Sequence, residues 1–226
     1  MFFSKLTLQE DATKSIKFWH SVGTNYAVHQ SIWKVFDRDA VAQRDFIYRI
    51  ETVKGMPTIY TISARQPAQS DDIWSIQSKS YSPKLQKDQR LGFTARINPV
   101  VTKTDADGKQ HRHDVVMEAK TLLKREDKDY RHIQRLYDLI RQEGTRWMKN
   151  RAEKYGFLVD EPTLFIDAYQ QHRFTKEKGK HDISITTLDY SGILTVIDPN
   201  IMLNTLYTGI GHAKGFGCGL VMVRPL

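Results

Sequence analysis

The alternation of apolar and polar positions predicts a β-rich first half with one clear helix. Residues 2–8 form an apolar-rich run that is typical of a strand. A helix is indicated by apolar residues at helical spacing, after a cap at Thr24 or Asn25: Val28, Ile32, Val35 and Phe36. Further strands are predicted where β-branched and aromatic residues concentrate, at 46–51, 58–64, 73–81 and 91–98. One helix among several strands favours a sheet covered on one face.

The second half of the chain is also predicted to be a mixture of strands and helices, as the first half is. Residues 116–155 have a highly charged helical pattern, with no proline before Pro162. Strands follow at 164–174, 183–188 and 192–197, then a short helix after Asp198, a glycine-rich loop and a last strand at 220–223. The pattern therefore predicts an α+β protein made of two α+β sandwiches in tandem, without a close internal sequence repeat.

Composition narrows the class of protein. The 226 residues are 40% hydrophobic and 27% charged, which is ordinary for a globular protein. Cys218 is the only cysteine, so a disulfide within the chain and a cysteine-based zinc cluster are excluded. The net charge of +8 favours a polyanionic partner. No apolar run spans a bilayer and the N-terminus does not resemble a signal peptide, so we expect a cytoplasmic protein without a membrane partner.

Five of the 13 glycines lie in the segment 209–220, GIGHAKGFGCGL. Glycine permits positive φ and close approach of the backbone, so this loop could present N–H groups and Lys214 to a phosphate. It matches neither a Walker loop nor a Rossmann turn, because it precedes the final strand. The alternative is a tight connection between helix and strand, with Phe216 and Cys218 packed inward.

Several motifs resemble one known family. The loop segments GIG, AKG and GCGL, followed by a terminal Pro-Leu, resemble the C-terminal signature of the CasE family, the precursor-RNA endonucleases of type I-E CRISPR systems. Residues 29–36, HQSIWKVF, resemble the first helix of that family, and 44–49, RDFIYR, its second strand. Residues 96–99, RINP, resemble the end of its first domain, and 192–196, GILTV, lead into the loop. The charged helical region around 122–143 matches least well.

The resemblance implies two tandem ferredoxin-like (RRM-like) domains, which we place at residues 1–98 and 99–226. It implies metal-independent cleavage of CRISPR repeat RNA beside its hairpin, without a cofactor or a metal site. It also implies that the mature crRNA stays bound and that other Cascade subunits are partners.

Within the resemblance, His29 falls on the catalytic histidine of the family, and Tyr26 and Lys34 fall on positions that some members use for catalysis. In such cleavage the RNA 2′-OH attacks the adjacent phosphorus and leaves a 2′,3′-cyclic phosphate. Histidine suits the proton transfers, and lysine suits the charge on the pentavalent intermediate. On a helix, Tyr26 and His29 lie about 60° apart, and Lys34 lies about 140° from His29. All three point away from the predicted core.

The predicted RNA contacts lie in two regions. The segment 172–181 reads as a strand, a basic turn and a strand, which suits an RNA duplex bound through its phosphates. The residues predicted to contact RNA are Arg173, Lys176, Lys178, Lys180, Gly211, Lys214, Gly215, Gly217, Gly219 and Trp33. Trp33 could stack on a base, and the alternative is that it is a partly buried aromatic at the edge of the domain. A weaker basic set is Lys109, Arg112, Lys120, Lys124 and Arg125. The aromatic RNP motif of sheet-face RNA binders is missing from the sequence.

Two other functions remain open at the level of sequence. The chain could be a noncatalytic RNA-binding scaffold of the same complex. It could also be a metal-dependent nuclease, although no carboxylate or histidine cluster has convincing ligand spacing.

Overall fold

The computed structural model describes residues 1–14, 25–36, 44–68, 73–126, 133–175 and 182–226. Its strands are β1 Phe2–Leu8, β2 Phe46–Val53, β3 Met56–Ser63, β4 Trp74–Ser80, β5 Arg90–Ile97, β6 Val100–Thr104, β7 Gln110–Asp114, β8 Phe157–Val159, β9 Phe165–Thr175, β10 Asp182–Val196 and β11 Val221–Pro225. Its α-helices are α1 Asn25–Val35, α2 Val115–Glu126, α3 Ile133–Ala152 and α4 Pro199–Thr208. The predicted cap at Thr24 lies outside the described residues.

The N-terminal sheet has the strand order β2-β3-β1-β4, with every neighbouring pair antiparallel. Helix α1 packs on this sheet through Val28, Ile32 and Val35, which are buried against Leu6, Ile59 and other core side chains. The apolar face predicted from the spacing is therefore confirmed. The buried Ser31 on the same face is accommodated because its hydroxyl donates to the carbonyl of Val28 and accepts a hydrogen bond from the Trp74 indole.

The C-terminal sheet repeats this strand order. Its order is β11-β5-β10-β8, and β9 also pairs with β10. β1 and β3 are central in the first sheet, and β5 and β10 are central in the second, where β8 and β9 both pair with β10; helices α3 and α4 connect strands in the second half. Two antiparallel sheets of this order, each with a crossover helix, are the ferredoxin-like arrangement. The predicted fold of two tandem ferredoxin-like domains is confirmed.

Strand β5 belongs to the second sheet. It pairs with β10 and β11, and its side chains Leu91, Phe93, Ala95 and Ile97 are buried in the C-terminal core. A boundary after residue 98 would separate this strand from both its hydrogen-bonding partners and its core. We therefore propose that the domains divide in the segment 81–89, before β5.

Three other elements differ from the predicted pattern. An exposed hairpin, β6–β7, stands where no strand is predicted. The predicted strands at 183–188 and 192–197 form one strand, β10, with an irregularity between Thr187 and Asp189. The short strand β8 was also not predicted. The charged region forms helices α2 and α3, as expected.

The two domains share an apolar interface and a polar clamp. Ile47, Ile62 and Leu220 form a small buried cluster between the sheets. Beside it, Arg96 of β5 donates two hydrogen bonds of 2.7 Å to Asp189 and one of 2.9 Å to the carbonyl oxygen of Ile50 in β2. The ion pair with Asp189 orients the Arg96 guanidinium, and the hydrogen bond to Ile50 links β2 to the second sheet. Within the described chain, no helix is long and apolar enough to cross a membrane.

Candidate active site

Helix α1 carries the three predicted catalytic residues. Tyr26 and His29 lie within this helix, and the placement of their side chains falls outside the described part of the structure. Lys34 lies in the last turn and is exposed. Because Val28, Ile32 and Val35 hold one face of the helix on the core, the helix itself is firmly positioned over the N-terminal sheet.

Trp33 is a partly buried aromatic, which is the second of the two roles predicted for it. Its ring is partly buried and meets the ring of Phe46 edge-on, with centroids 5.0 Å apart. This contact fixes the start of β2 beneath α1. A stacking role toward an RNA base stays a prediction.

The glycine loop closes on itself through its two ends. Ile210 N–H donates to the carbonyl oxygen of Gly219 at 2.8 Å, and Gly219 N–H donates to that of Arg96 at 2.7 Å. A Cβ atom on Gly219, where φ is +90°, would lie 2.6 Å from the Ile210 carbonyl oxygen and 3.2 Å from Cγ of Lys214. Gly219 is therefore needed for loop closure, and it leaves room for the stem of Lys214.

The middle of the loop docks onto the other domain. Its 3-10 turn, Lys214–Phe216, lies against both α1 and β2. Tyr48 of β2 donates a hydrogen bond of 2.9 Å to the Gly215 carbonyl oxygen, and its ring packs beneath Gly217. Cys218 is fully buried, as the alternative reading of the loop expected, and burial raises its pKa to about 12. The loop thus brings Lys214 to the helix that carries His29.

Lys214 stands next to a second cation that the sequence did not single out. Burial lowers the pKa of Lys214, and the positive charge of Arg44 lowers it further. Within the described ranges, neither side chain forms an ion pair with a carboxylate. Two neighbouring cations without a counter-charge attract an anion such as a phosphate. Arg44 precedes β2 and lies 170 positions from Lys214 in the sequence, so only the fold brings them together.

The glycine loop engages protein acceptors with several of its N–H groups. Gly211 N–H donates to the Tyr155 hydroxyl at 3.2 Å, in addition to the bond from Gly219 to Arg96. Gly215 and Gly217 contact Tyr48. These four glycines shape and dock the loop, and the cationic side chain in this segment is that of Lys214.

The basic hairpin is built from β9 and β10. These strands pair from Thr175 with Asp182 down to Phe165 with Ser191, so the two predicted strands are confirmed, and the basic turn predicted between them lies outside the described residues. Arg173 is exposed near the end of β9. Lys176, Lys178 and Lys180 lie outside the described residues.

A cleft of about 430 Å³ separates β2 from the β9–β10 hairpin. Arg96 and His172 line it, together with Phe216 and Gly217 of the glycine loop. Burial lowers the pKa of His172, and the charge of Arg96 lowers it further, while the charge of Asp189 opposes the shift. Its Nε2 lies 3.1 Å from the Thr187 hydroxyl. The cleft connects the base of the basic hairpin with the glycine loop.

In the part of the chain that the structure describes, no group of three or more His, Cys, Asp or Glu side chains is arranged to hold a metal ion. What the structure shows is that the turn of Lys214 lies against α1, the helix that contains His29. A histidine and neighbouring cations are residue types that suit the attack of a ribose hydroxyl on its own phosphate.

The chain is similar to known proteins over most of its length. Residues 1–225 match the family described as CRISPR associated protein. The chain is 26% identical over 204 residues to the CRISPR system Cascade subunit CasE of Escherichia coli strain K12, covering 89% of this chain and 92% of that protein. It is 25% identical over 246 residues to the CRISPR-associated endoribonuclease Cse3 of Thermus thermophilus, with both chains covered completely.

A solved structure of the CRISPR endoribonuclease Cse3 bound to a 19-nucleotide RNA superposes on the whole chain with a TM-score of 0.73 and 23% identity, and all of that chain is covered. This likeness supports the fold, and the family match supports the assignment of the chain. The resemblance found in the separate motifs thus extends over the full length. The chain belongs to the CRISPR-associated CasE family.

Proposed function

We propose that this protein is an endoribonuclease that cuts CRISPR repeat RNA beside its hairpin and retains the mature crRNA as a subunit of Cascade. The observation that carries the proposal is the docking of the Lys214–Phe216 turn against α1, the helix of His29, in a chain that belongs to the CasE family. The CasE and Cse3 relatives carry names of a Cascade subunit and an endoribonuclease. The proposed place of action is the cytoplasm.

In the proposed reaction, the 2′-oxygen bonds to the adjacent phosphorus and the bond to the 5′-oxygen breaks. His29 takes the proton of the 2′-OH or supplies one to the departing 5′-oxygen. Lys34 and Tyr26 are proposed to assist at the same phosphate. Lys214 and Arg44 would offset the negative charge that accumulates on the phosphoryl oxygens. The products are a 2′,3′-cyclic phosphate and a 5′-OH, and the reaction needs no metal.

The basic hairpin is proposed to hold the RNA stem. Arg173 precedes Lys176, Lys178 and Lys180 in the sequence, and together these four side chains make the segment strongly positive. Phosphate contacts of this kind fix the register of a duplex without reading its bases. The glycines of the loop are proposed to serve RNA indirectly by holding Lys214 in place.

The test is incubation of the purified protein with its repeat RNA in EDTA, followed by analysis of the RNA ends. We expect a single cut beside the hairpin, with a 2′,3′-cyclic phosphate on the upstream fragment. Tight binding without any cut would instead make the protein a scaffold subunit. Cleavage that EDTA abolishes and Mg²⁺ restores would show a metal-dependent nuclease.

A further inference from the structure

Gly211 and His212 of the glycine loop are not among the residues that line the cleft. Gly211 contacts two aromatic side chains, Trp147 in α3 and Tyr155 in the 3-10 turn that follows α3. Its N–H donates to the hydroxyl of Tyr155, and a Cβ atom on it would lie 3.5 Å from the ring of Trp147. The indole N–H of Trp147 donates to the Val100 carbonyl oxygen at 3.0 Å, at the start of the β6–β7 hairpin. Loop, helix and hairpin therefore meet at Trp147.

A cationic side chain lies over the face of each of the two rings, Trp147 and Tyr155. The guanidinium carbon of Arg151 lies 4.6 Å from the centroid of the Trp147 ring. The ammonium of Lys154 lies 5.8 Å from the centroid of the Tyr155 ring. A ring face orients a cation without neutralising its charge. Both cations also lie near enough to His212, the exposed residue that follows Gly211, for their charges to lower its pKa.

Several secondary-structure elements contribute positive charges near His212. Burial lowers the pKa of His212, and so do the positive charges of its neighbours, which are Arg112 of β7, Lys214, Arg151 and Lys154. Across the described ranges, none of these four cations forms an ion pair with a carboxylate. Other cations of the same helix do: Arg146 pairs with Glu143, and Lys149 pairs with Glu161. The region around the loop therefore contains several described cations without a carboxylate partner.

Basic residues at the end of a helix also have a structural role, because they stabilise the negative end of the helix dipole. That role accounts for Lys149 and Arg151 in the last turn of α3. It does not account for Arg112, which comes from the β6–β7 hairpin, or for Lys214 in the loop. A shared ligand with several negative charges accounts for all of them.

We propose that Arg112, Arg151, Lys154 and His212 form a second phosphate-binding patch, which we term the His212 patch, for RNA backbone outside the nucleotides held at α1. The proposal rests on the proposed function, because the patch would bind another part of the RNA that is cut at α1. Lys214 connects the two places: it lies in the turn that contacts α1 and is close to His212. RNA is favoured over an acidic protein partner because the patch is continuous with this turn beside the cutting helix.

The test compares two double variants of α3 and its extension. Arg151→Gln/Lys154→Gln removes two charges of the His212 patch, and Arg146→Gln/Lys149→Gln removes two ion-paired charges from the same region. The affinity of each purified protein for flanked repeat RNA is measured in EDTA over a series of KCl concentrations. Each lost phosphate contact lowers the slope of log Kd against log [KCl] by about one. We expect the slope to fall by about two in the patch variant and to stay unchanged in the control.

Slopes that are equal in the wild type and the patch variant would overturn the proposal. If the patch variant then associates less well with the other Cascade subunits, the patch serves a protein partner instead. Because this assay measures binding alone, its result is independent of cleavage. A wild-type protein that binds but does not cut would remove the proposed nuclease function and leave the His212 patch standing. Thermal melting of both variants checks that they are folded.

Discussion

The hydroxyl of Tyr48 donates a hydrogen bond to the carbonyl oxygen of Gly215, 2.9 Å away, although 167 positions separate the two residues in the sequence. Tyr48 belongs to β2 of the N-terminal sheet, and Gly215 belongs to the glycine loop of the C-terminal domain. This contact holds the Lys214–Phe216 turn beside α1. The glycine loop near the C-terminus and the helix of His29 near the N-terminus therefore lie against each other, and we propose that they form one site.

Tyr48→Phe should weaken this contact while the ring keeps its place. The free energy of unfolding should fall by about 0.5–1.5 kcal/mol, because the variant loses one hydrogen bond and leaves the Gly215 carbonyl without its donor. RNA cleavage should slow as well, since Lys214 is held less firmly. Urea unfolding and single-turnover cleavage measure the two effects. Tyr60→Phe is the control, and an equal loss of cleavage there would contradict the assignment.

Gly219→Ala should disrupt loop closure. The new Cβ atom meets the Ile210 carbonyl oxygen at 2.6 Å and the residue must keep a φ of +90°, so we expect a loss of about 2–4 kcal/mol in the free energy of unfolding. Gly108 in the β6–β7 turn has a φ of +78° and open space around its Cβ position. Gly108→Ala should therefore cost only the backbone strain, about 1–2 kcal/mol. Equal losses in the two variants would show that the loop can adjust around the added methyl group.

Lys214→Gln should reduce both RNA binding and cleavage. The loss of one phosphate contact should lower the salt slope of log Kd by about one, and cleavage should slow further because charge stabilisation at the phosphate is lost. Lys87→Gln, which removes an exposed charge from the segment between the domains, is the control. If both variants change binding alike, the effect comes from net charge and not from the position of Lys214.

The Asp45–Arg65 pair predicts a pH dependence of stability. Two hydrogen bonds from Arg65, of 2.7 and 3.0 Å, are the main reason that the pKa of Asp45 is lowered. Because the folded-state pKa lies below the unfolded value of about 3.9, the pair stabilises the fold above that pH, and the stabilisation is lost as the pH falls through the lower folded-state pKa.

Asp45→Asn should accordingly lower the free energy of unfolding at neutral pH, by under about 1 kcal/mol for a partly exposed pair. The difference from the wild type should vanish on acidification. Urea unfolding over a pH series measures it. Asp11→Asn, which removes the exposed partner of Lys14, should have no effect at any pH. A difference at Asp45 that persists in acid would contradict the electrostatic explanation.

The sequence predicts those parts of the molecule that depend on local patterns. The spacing of Val28, Ile32 and Val35 predicts α1 and its buried face because helix periodicity is a local property. The β6–β7 hairpin is not predicted from the sequence. Its residues, TKTDADGKQHRH at 102–113, are polar on both faces and show no alternation of apolar and polar side chains. The pattern predicts two strands in place of the single strand β10 because Asp189 interrupts its apolar run.

The candidate site is predictable only in part for a similar reason. The family resemblance identifies His29 and the glycine loop, since both lie in contiguous motifs. The approach of Arg44 to Lys214, and of Arg151 and Lys154 to His212, depends on contacts between distant elements. A single sequence holds no local signal for such contacts. The placement of β5 in the second sheet is of the same kind, because it is set by pairing with β10 and β11.

The most direct test of the account is the single-turnover cleavage rate of His29→Ala on repeat RNA in EDTA, measured together with RNA affinity. If His29 transfers a proton in the reaction, the rate should fall by about 10²–10⁴, while the affinity stays close to that of the wild type. Cleavage by His29→Ala at the wild-type rate would contradict the account.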